Sequence, residues 1–278
     1  MADIYGAVTD DALNRVINLA HARAPFLFNY VAPTIQLQFD PAGNFIGTQD
    51  VWLACAPVPD SLLGPGVPKF RRVPPFSLPG IPIKLPYSVQ IIDVTIDFHP
   101  GDQISLPAQL LPPLRNQNFA LKVLLLFGLA CVDDALVEAA IRQQTAARMF
   151  VPTRLPVLPV TTLECFTLDV YAFGRLTVQS TPAPGPYPLQ QVRLAVDGLE
   201  IVDIAPTGLE GAIECYLKLM LKGYILPQVV LGLQSLVVST LGITLTPHLT
   251  HGLPNNPAIE QDEIRVWLDV DVTGGPHE

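Results

Sequence analysis

The sequence predicts an α+β fold, a mostly antiparallel, curved β-sheet packed around one long apolar helix. Three observations lead there. Leu209–Leu241 follows the helical period yet is apolar on nearly every face. Many other segments alternate apolar and polar residues as half-buried strands do. Proline supplies 29 of the 278 residues, against a usual share of about 5%. That excludes an all-helical bundle and favours strands joined by extended loops.

Taken in order, the chain opens with a helix over DDALNRVINLAHARA. Thr9 or Asp10 is placed to cap it, and Leu13, Val16, Ile17 and Ala20 give it one apolar face before Pro25 stops it. His21 lies near its negative end, a structural position for a cation. TIQLQF (Thr34–Phe39) alternates as a strand, Asp40-Pro-Ala-Gly43 reads as a turn, and Phe45–Ala54 completes a hairpin. Residues 57–86 hold nine prolines and form an extended arm. The arm carries Lys69, Phe70, Arg71, Arg72 and Phe76. These suit either a loop blunting a sheet edge or a docking arm for an acidic partner or membrane surface. Strands are expected at Ser88–Phe98, Phe119–Val132, Thr161–Ala172, Arg175–Ser180, Gln191–Ile204 and Ile264–Val272, with a second amphipathic helix over Asp133–Met149.

The long helix is the centre of the reading. Leu209, Ala212, Ile213, Tyr216, Leu217, Met220, Tyr224 and Ile225 keep the helical period, while Glu210, Glu214, Lys218 and Lys222 stack into one narrow stripe. Beyond Lys222 no charge recurs until Glu260. Gly223–Gly242 reaches the length of a membrane span. Its Pro227, Gln228, Gln234, Ser235, Ser239 and Thr240 favour burial inside the protein, so no transmembrane span is expected, although peripheral membrane contact is compatible with this surface. A helix buried on all sides is explained by a sheet wrapped around it. Leu209, Ile213, Tyr216, Leu217, Met220, Tyr224 and Ile225 would then line an apolar ligand cleft or fill it.

Three matches recur in the same order: VTDDAL with CVDDAL, DVTIDFHPG with GLEIVDIAPTG, and QNFALKVLLL with QDEIRVWLDV. They suggest a single domain of two similar halves, about 1–130 and 131–278. The alternative architecture is therefore two duplicated β-sandwich-like halves, each opened by a helix.

The strand LEIVDI, the turn APTG and the helix LEGAIECYLKLMLKGYIL, amid long antiparallel strands, resemble the tubular lipid-binding (TULIP) superfamily over residues 191–241. That resemblance implies a sheet rolled around a long helix and enclosing an apolar tunnel.

The chemistry-bearing residues are sparse. Only 15% of the chain is charged and the net charge is −9, which disfavours nucleic-acid binding. Cys55, Cys131, Cys165 and Cys215 are far apart and read as buried thiols. With no signal peptide in view, this suggests a cytoplasmic protein. His248 and His251, in TPHLTHGLPNNP, could bind a metal with Asp262 or Glu263, but lack a helical frame and read as a solvated loop. Asp10-Asp11 and Asp133-Asp134 are helix starts, and Asp269 and Asp271 read as the solvated face of the last strand. There is no GxSxG, HExxH or glycine-rich phosphate loop. The expectation is a noncatalytic protein without metal or cofactor. It would bind a lipid or other apolar molecule, or else serve as a structural or adaptor subunit with protein partners or self-association.

Overall fold

The computed structural model describes residues 3–62, 64–77, 84–98, 103–107, 111, 114–131, 162–182, 189–205, 230–232, 238–240 and 243–273. Within them the chain is mostly β, with one α-helix and one short 3-10 turn. The elements in order are β1 (Ile4–Thr9), α1 (Asp10–Arg23), β2 (Asn29–Val31), β3 (Thr34–Phe39), β4 (Phe45–Val51), β5 (Arg71–Arg72), β6 (Phe76–Ser77), β7 (Lys84–Leu85) and β8 (Tyr87–Phe98). There follow β9 (Asn118–Cys131), β10 (Thr162–Thr181), β11 (Leu189–Ala205), β12 (Val230–Gly232), β13 (Val238–Thr240), β14 (Ile243–Leu249), β15 (Ala258–Glu260) and β16 (Glu263–Thr273).

A seven-stranded sheet runs β12-β11-β10-β9-β8-β2-β5 and is antiparallel except at its β2–β5 edge. It curls into a half-barrel, and the sequence explains the curl. In β8 the apolar positions run Val89, Ile91 and then Val94, Ile96, Phe98, a change of parity. The pairing with β9 slips there, leaving Ile92 as an exposed extra residue. In β11 the set runs Val192, Leu194, Val196, then Leu199 and Ile201, and the pairing with β10 skips Asp197 and Val202. Each bulge bends its strand and returns the next apolar residues to the same face.

That face carries the core. Phe98, Phe119, Leu125 and Leu168 are fully buried there, packed with Val89, Phe127 and Phe166. Burial of each such side chain stabilises by about 1.5–3 kcal/mol. A second sheet, β1-β16-β14-β13 with β15 also on β16, contributes Ile259 and Ile264 to the same core. Two glutamines tie the sheets together: Gln117 Oε1 accepts from Ile259 N and Gln190 Oε1 from Leu249 N, both at 2.8 Å.

Helix α1 covers the part of the β8 edge that β2 leaves open. Thr9 caps it, accepting from Ala12 N. Asp10, Asn14 and His21 fall within about 40° of one another around the helix. Asn14 accepts from Ile96 N and donates to Ile96 O, both at 2.8 Å, and His21 Nε2 donates to Ile91 O at 3.0 Å. Leu13 and Ile17 pack on the core, but Val16, expected on that face, is 60% exposed.

The same amide device recurs twice. Gln90 accepts from Ala56 N at 2.8 Å and donates to Ala56 O at 2.9 Å. Asn256 accepts from Trp267 N at 3.1 Å and donates to Trp267 O at 2.8 Å. In each case one carboxamide pairs with both backbone groups of a single residue, supplying a donor and an acceptor.

Several expectations are corrected. The helix over Leu209–Leu241 does not run to its expected end, because Val230–Gly232 pairs with β11 and Val238–Thr240 pairs with β14. Val230 and Val238 there serve short strands, as β-branched residues favour. Leu209, Ile213, Tyr216, Leu217, Met220, Tyr224 and Ile225 lie outside the described residues, as does Asp133–Met149. Among the described residues no helix is long and apolar enough to cross a membrane.

The two strands expected over 161–180 are one, β10, passing through Gly174. Strand β9 of the first part pairs with β10 of the second over Asn118–Cys131, and β1 pairs with β16. The boundary near residue 130 therefore falls within one sheet rather than between two sandwiches.

The cysteine reading is also overturned. Cys55 and Cys165 form a disulfide, with Cα atoms 5.8 Å apart and a sequence separation of 110. Neither residue is fully buried, and Cys165 is exposed. A spacing of that length carries no local signal, since only the pairing of β8, β9 and β10 brings the two together.

Candidate functional site: the arm and hairpin groove

The β3–β4 hairpin forms as its alternation and turn residues direct. The Asp40 carboxylate accepts from Ala42 N, Asn44 N and Asn44 Nδ2, and these bonds hold it below the usual carboxylate range. Gly43 adopts a positive φ of 85°, which closes the turn. From Val51 the chain leaves the hairpin and crosses the face of the half-barrel opposite the core. There the Gln90–Ala56 pair and the Cys55–Cys165 disulfide fix it. Gly128 of β9 makes the crossing possible: a Cβ at that position would lie 2.6 Å from Cys55 Sγ and 2.5 Å from Ser88 Oγ.

The proline-rich arm then returns to the sheet edge. Arg71 and Arg72 pair in parallel with Tyr30 and Val31, and Val73 N continues the pairing to Val31 O at 3.1 Å. Prolines on both sides keep the paired stretch short, because they lack the donor a longer strand needs. Most of the residues expected to form a docking arm meet here. Lys69 forms an ion pair with Asp60 at 2.8 Å, which lowers the Asp60 pKa. Arg72 lies 3.6 Å from Asp50 of β4. Phe70 stacks on Trp52 with ring centroids 6.1 Å apart and planes 3° from parallel. Arg71 is exposed and has no acidic partner among the described residues. Opposite it in the strand pairing lies Tyr30, whose hydroxyl donates to Leu27 O and whose pKa burial raises. The backbone of Phe76 pairs with Leu85.

Between hairpin and arm lies an open groove of about 590 Å³. Pro33, Ile35, Val73, Pro74 and Pro75 form its apolar walls, and the Asp50–Arg72 pair lines it. The stack of Trp52 and Phe70 adjoins it through the chain. Such a site offers shape, an aromatic surface and an exchangeable ion pair, and its lining holds no nucleophile paired with a base. Trp52, Asp50 and Gln90 escaped the sequence reading. Trp52 lay inside an expected strand, Phe45–Ala54, and nothing local marks Gln90 as the anchor of a loop thirty-four residues away.

The histidine expectation is corrected. His248 lies in strand β14, where Nδ1 is 2.9 Å from Asp271 Oδ2 and Nε2 is 4.0 Å from Asp269 Oδ2. Asp269 and Asp271 are thus half-buried and face His248 and Thr250, whose hydroxyl donates to Asp269 at 2.9 Å. Cross-strand register, His248 opposite Asp269, brings them together. His251 is exposed in the turn that follows. Among the described residues no group of three or more His, Cys, Asp or Glu side chains is arranged to hold a metal.

No family model, curated protein or solved structure matches the chain.

Proposed function

We propose that this protein is a noncatalytic structural or adaptor subunit of a multiprotein assembly, docking through the groove between its hairpin and its proline-rich arm. The observation that carries the reading is the way the arm is held. A disulfide, a two-bond glutamine anchor and a strand pairing fix a cationic, aromatic segment to a rigid sheet. Preorganisation of this kind lowers the ordering cost of binding. The aromatic pair and the arginines are residue types enriched where partners make their strongest contacts. The net charge of −9 supports protein rather than nucleic-acid partners. The disulfide supports an oxidising setting, in place of the cytoplasm that four free thiols would suit.

The second reading is a lipid or other apolar ligand in a cleft lined by Leu209, Ile213, Tyr216, Leu217, Met220, Tyr224 and Ile225, as the TULIP resemblance implies. The curl of the seven-stranded sheet favours it, although the described core face is filled by Phe98, Phe119, Leu125 and Leu168. Native mass spectrometry before and after organic extraction separates the two. The docking reading expects a ligand-free oligomer that Trp52→Ala dissociates. A monomer carrying extractable lipid would replace it with the apolar-ligand reading.

A further inference from the structure

We propose that the outer edge of β5 accepts an extended, acidic segment of a partner protein, with carboxylates on Arg72, which lines the groove, and on Arg71 at the opposite face of the strand. This rests on the docking reading above and adds the chemistry of the partner. β5 is the last strand of the seven-stranded sheet, and no described strand pairs with its outer side. A free edge is a template for an added strand, in which main-chain hydrogen bonds supply affinity and alternate side chains supply selectivity. Here the alternate positions meet different surfaces. Arg71 and Arg72 are consecutive and so present their guanidinium groups on opposite faces: one set meets Arg72 and the groove walls at Ile35 and Pro74, and the other meets Arg71.

Cations also protect edges from unwanted pairing, so the charges need weighing. Lys69 and Arg72 are matched by Asp60 and Asp50 of the same chain, whereas Arg71 is not matched by any described acid. The Asp50–Arg72 pair is long, at 3.6 Å, and both side chains are more than half exposed, so it is weak and exchangeable. An incoming carboxylate would take the place of Asp50. An anionic membrane fits less well, since bilayers recruit clusters of about four to eight cations. The arm carries four, Lys69, Arg71, Arg72 and Lys84, but Lys69 and Arg72 are already paired internally.

The test uses the full chain carrying Trp267→Phe, so that Trp52, beside the groove, is the only tryptophan. An octapeptide of glutamate is titrated against its fluorescence, with an octapeptide of lysine and phosphatidylserine vesicles in parallel. The expected result is a saturable response to the glutamate peptide alone, weakened by added salt. Arg71→Glu should weaken it about tenfold and Arg71→Ala about threefold, while Asp50→Asn should tighten it about threefold by freeing Arg72. Arg71 is exposed, and matching thermal unfolding of both variants would exclude misfolding as the cause. No saturable response, an equal response to the lysine peptide, a response to vesicles alone, or indifference to both Arg71 variants would overturn the proposal. If Trp52→Ala still dissociates the oligomer in that case, the docking reading survives and only the acidic partner falls.

Discussion

The disulfide makes the most demanding prediction about stability. Cys165→Ser breaks it at an exposed position, where the introduced hydroxyl stays hydrated, so the loss reports the cross-link and little else. The closed loop spans a separation of 110 residues. Chain-entropy arguments give about 4–5 kcal/mol for a loop of that length, and native cross-links typically return about 2–4. The Gln90–Ala56 pair survives in the folded variant, so the change acts mainly through the unfolded chain. Urea unfolding should therefore show a lower midpoint and a steeper denaturant dependence, because the released chain exposes more surface. Dithiothreitol should reproduce both effects in the unaltered protein. Alkylation under denaturing conditions should label at least two more thiols after reduction than before it. Four labelled thiols before reduction, or a midpoint indifferent to reductant, would refute the pairing.

The site beneath the cross-link gives an internal control. Gly128→Ala would place a methyl group 2.6 Å from Cys55 Sγ and 2.9 Å from Leu163 Cδ1, an overpacking worth about 1–3 kcal/mol. Once the bond is broken the sulfur can swing aside, so the two changes should couple by more than about 0.5 kcal/mol. Simple additivity would mean that Cys55 does not cross over Gly128.

Two further predictions test the sheet and the helix start. At Gly174 a Cβ would sit 2.1 Å from the Ala195 carbonyl oxygen, which backbone pairing fixes, so Gly174→Ala should cost more than about 2 kcal/mol in urea unfolding. Gly6, with nothing within 4 Å, should accept alanine within about 0.5 kcal/mol. Burial raises the pKa of Asp10, helped by the nearby carboxylates of Asp97 and Asp262. The native state then holds this proton to higher pH than the unfolded chain does. Stability from this group is present below the ordinary carboxylate value and lost as pH rises through the raised one. Subtracting thermal unfolding curves of Asp10→Asn from those of the unaltered protein should reveal that slope. A flat difference would show that Asp10 is not desolvated.

Much of the fold was legible because burial imposes a period. Thr34–Phe39 matched its strand, Thr9 capped α1, and Ser88–Phe98 fell one residue short of β8. The curvature was also written there, in the parity changes after Ile91 and Val196, where two-residue alternation breaks and resumes on the opposite phase. A run of apolar strands read without attention to phase gives a sheet but not its bend. What periodicity cannot carry is pairing between distant segments. The disulfide, the Gln90–Ala56 anchor and the His248–Asp271 contact all depend on register between strands remote in sequence. Strands β12 and β13 were missed for a different reason, because short valine-rich runs satisfy helical and strand periods equally well.

The three backbone-mimicking amides explain how a chain with so few charges ties a helix and loops to its sheets. A strand residue offers one N–H and one C=O, and a carboxamide matches both without bringing charge into the interior. A carboxylate accepts only, and a cation donates only. Asn14 is the place to test this, since its oxygen accepts from Ile96 N and its nitrogen donates to Ile96 O. In Asn14→Asp one oxygen keeps the first bond while the other is forced against a carbonyl. The loss at neutral pH should be about 2–4 kcal/mol, exceeding that of Asn14→Ala. Protonation restores the missing donor, so the introduced carboxyl should titrate above its ordinary range. The Asp variant should regain stability relative to the Ala variant as pH falls through that raised value. Amide exchange at Ile96 should track the same recovery. If Asp and Ala variants stay equally stable at every pH, α1 does not seal the β8 edge through this residue.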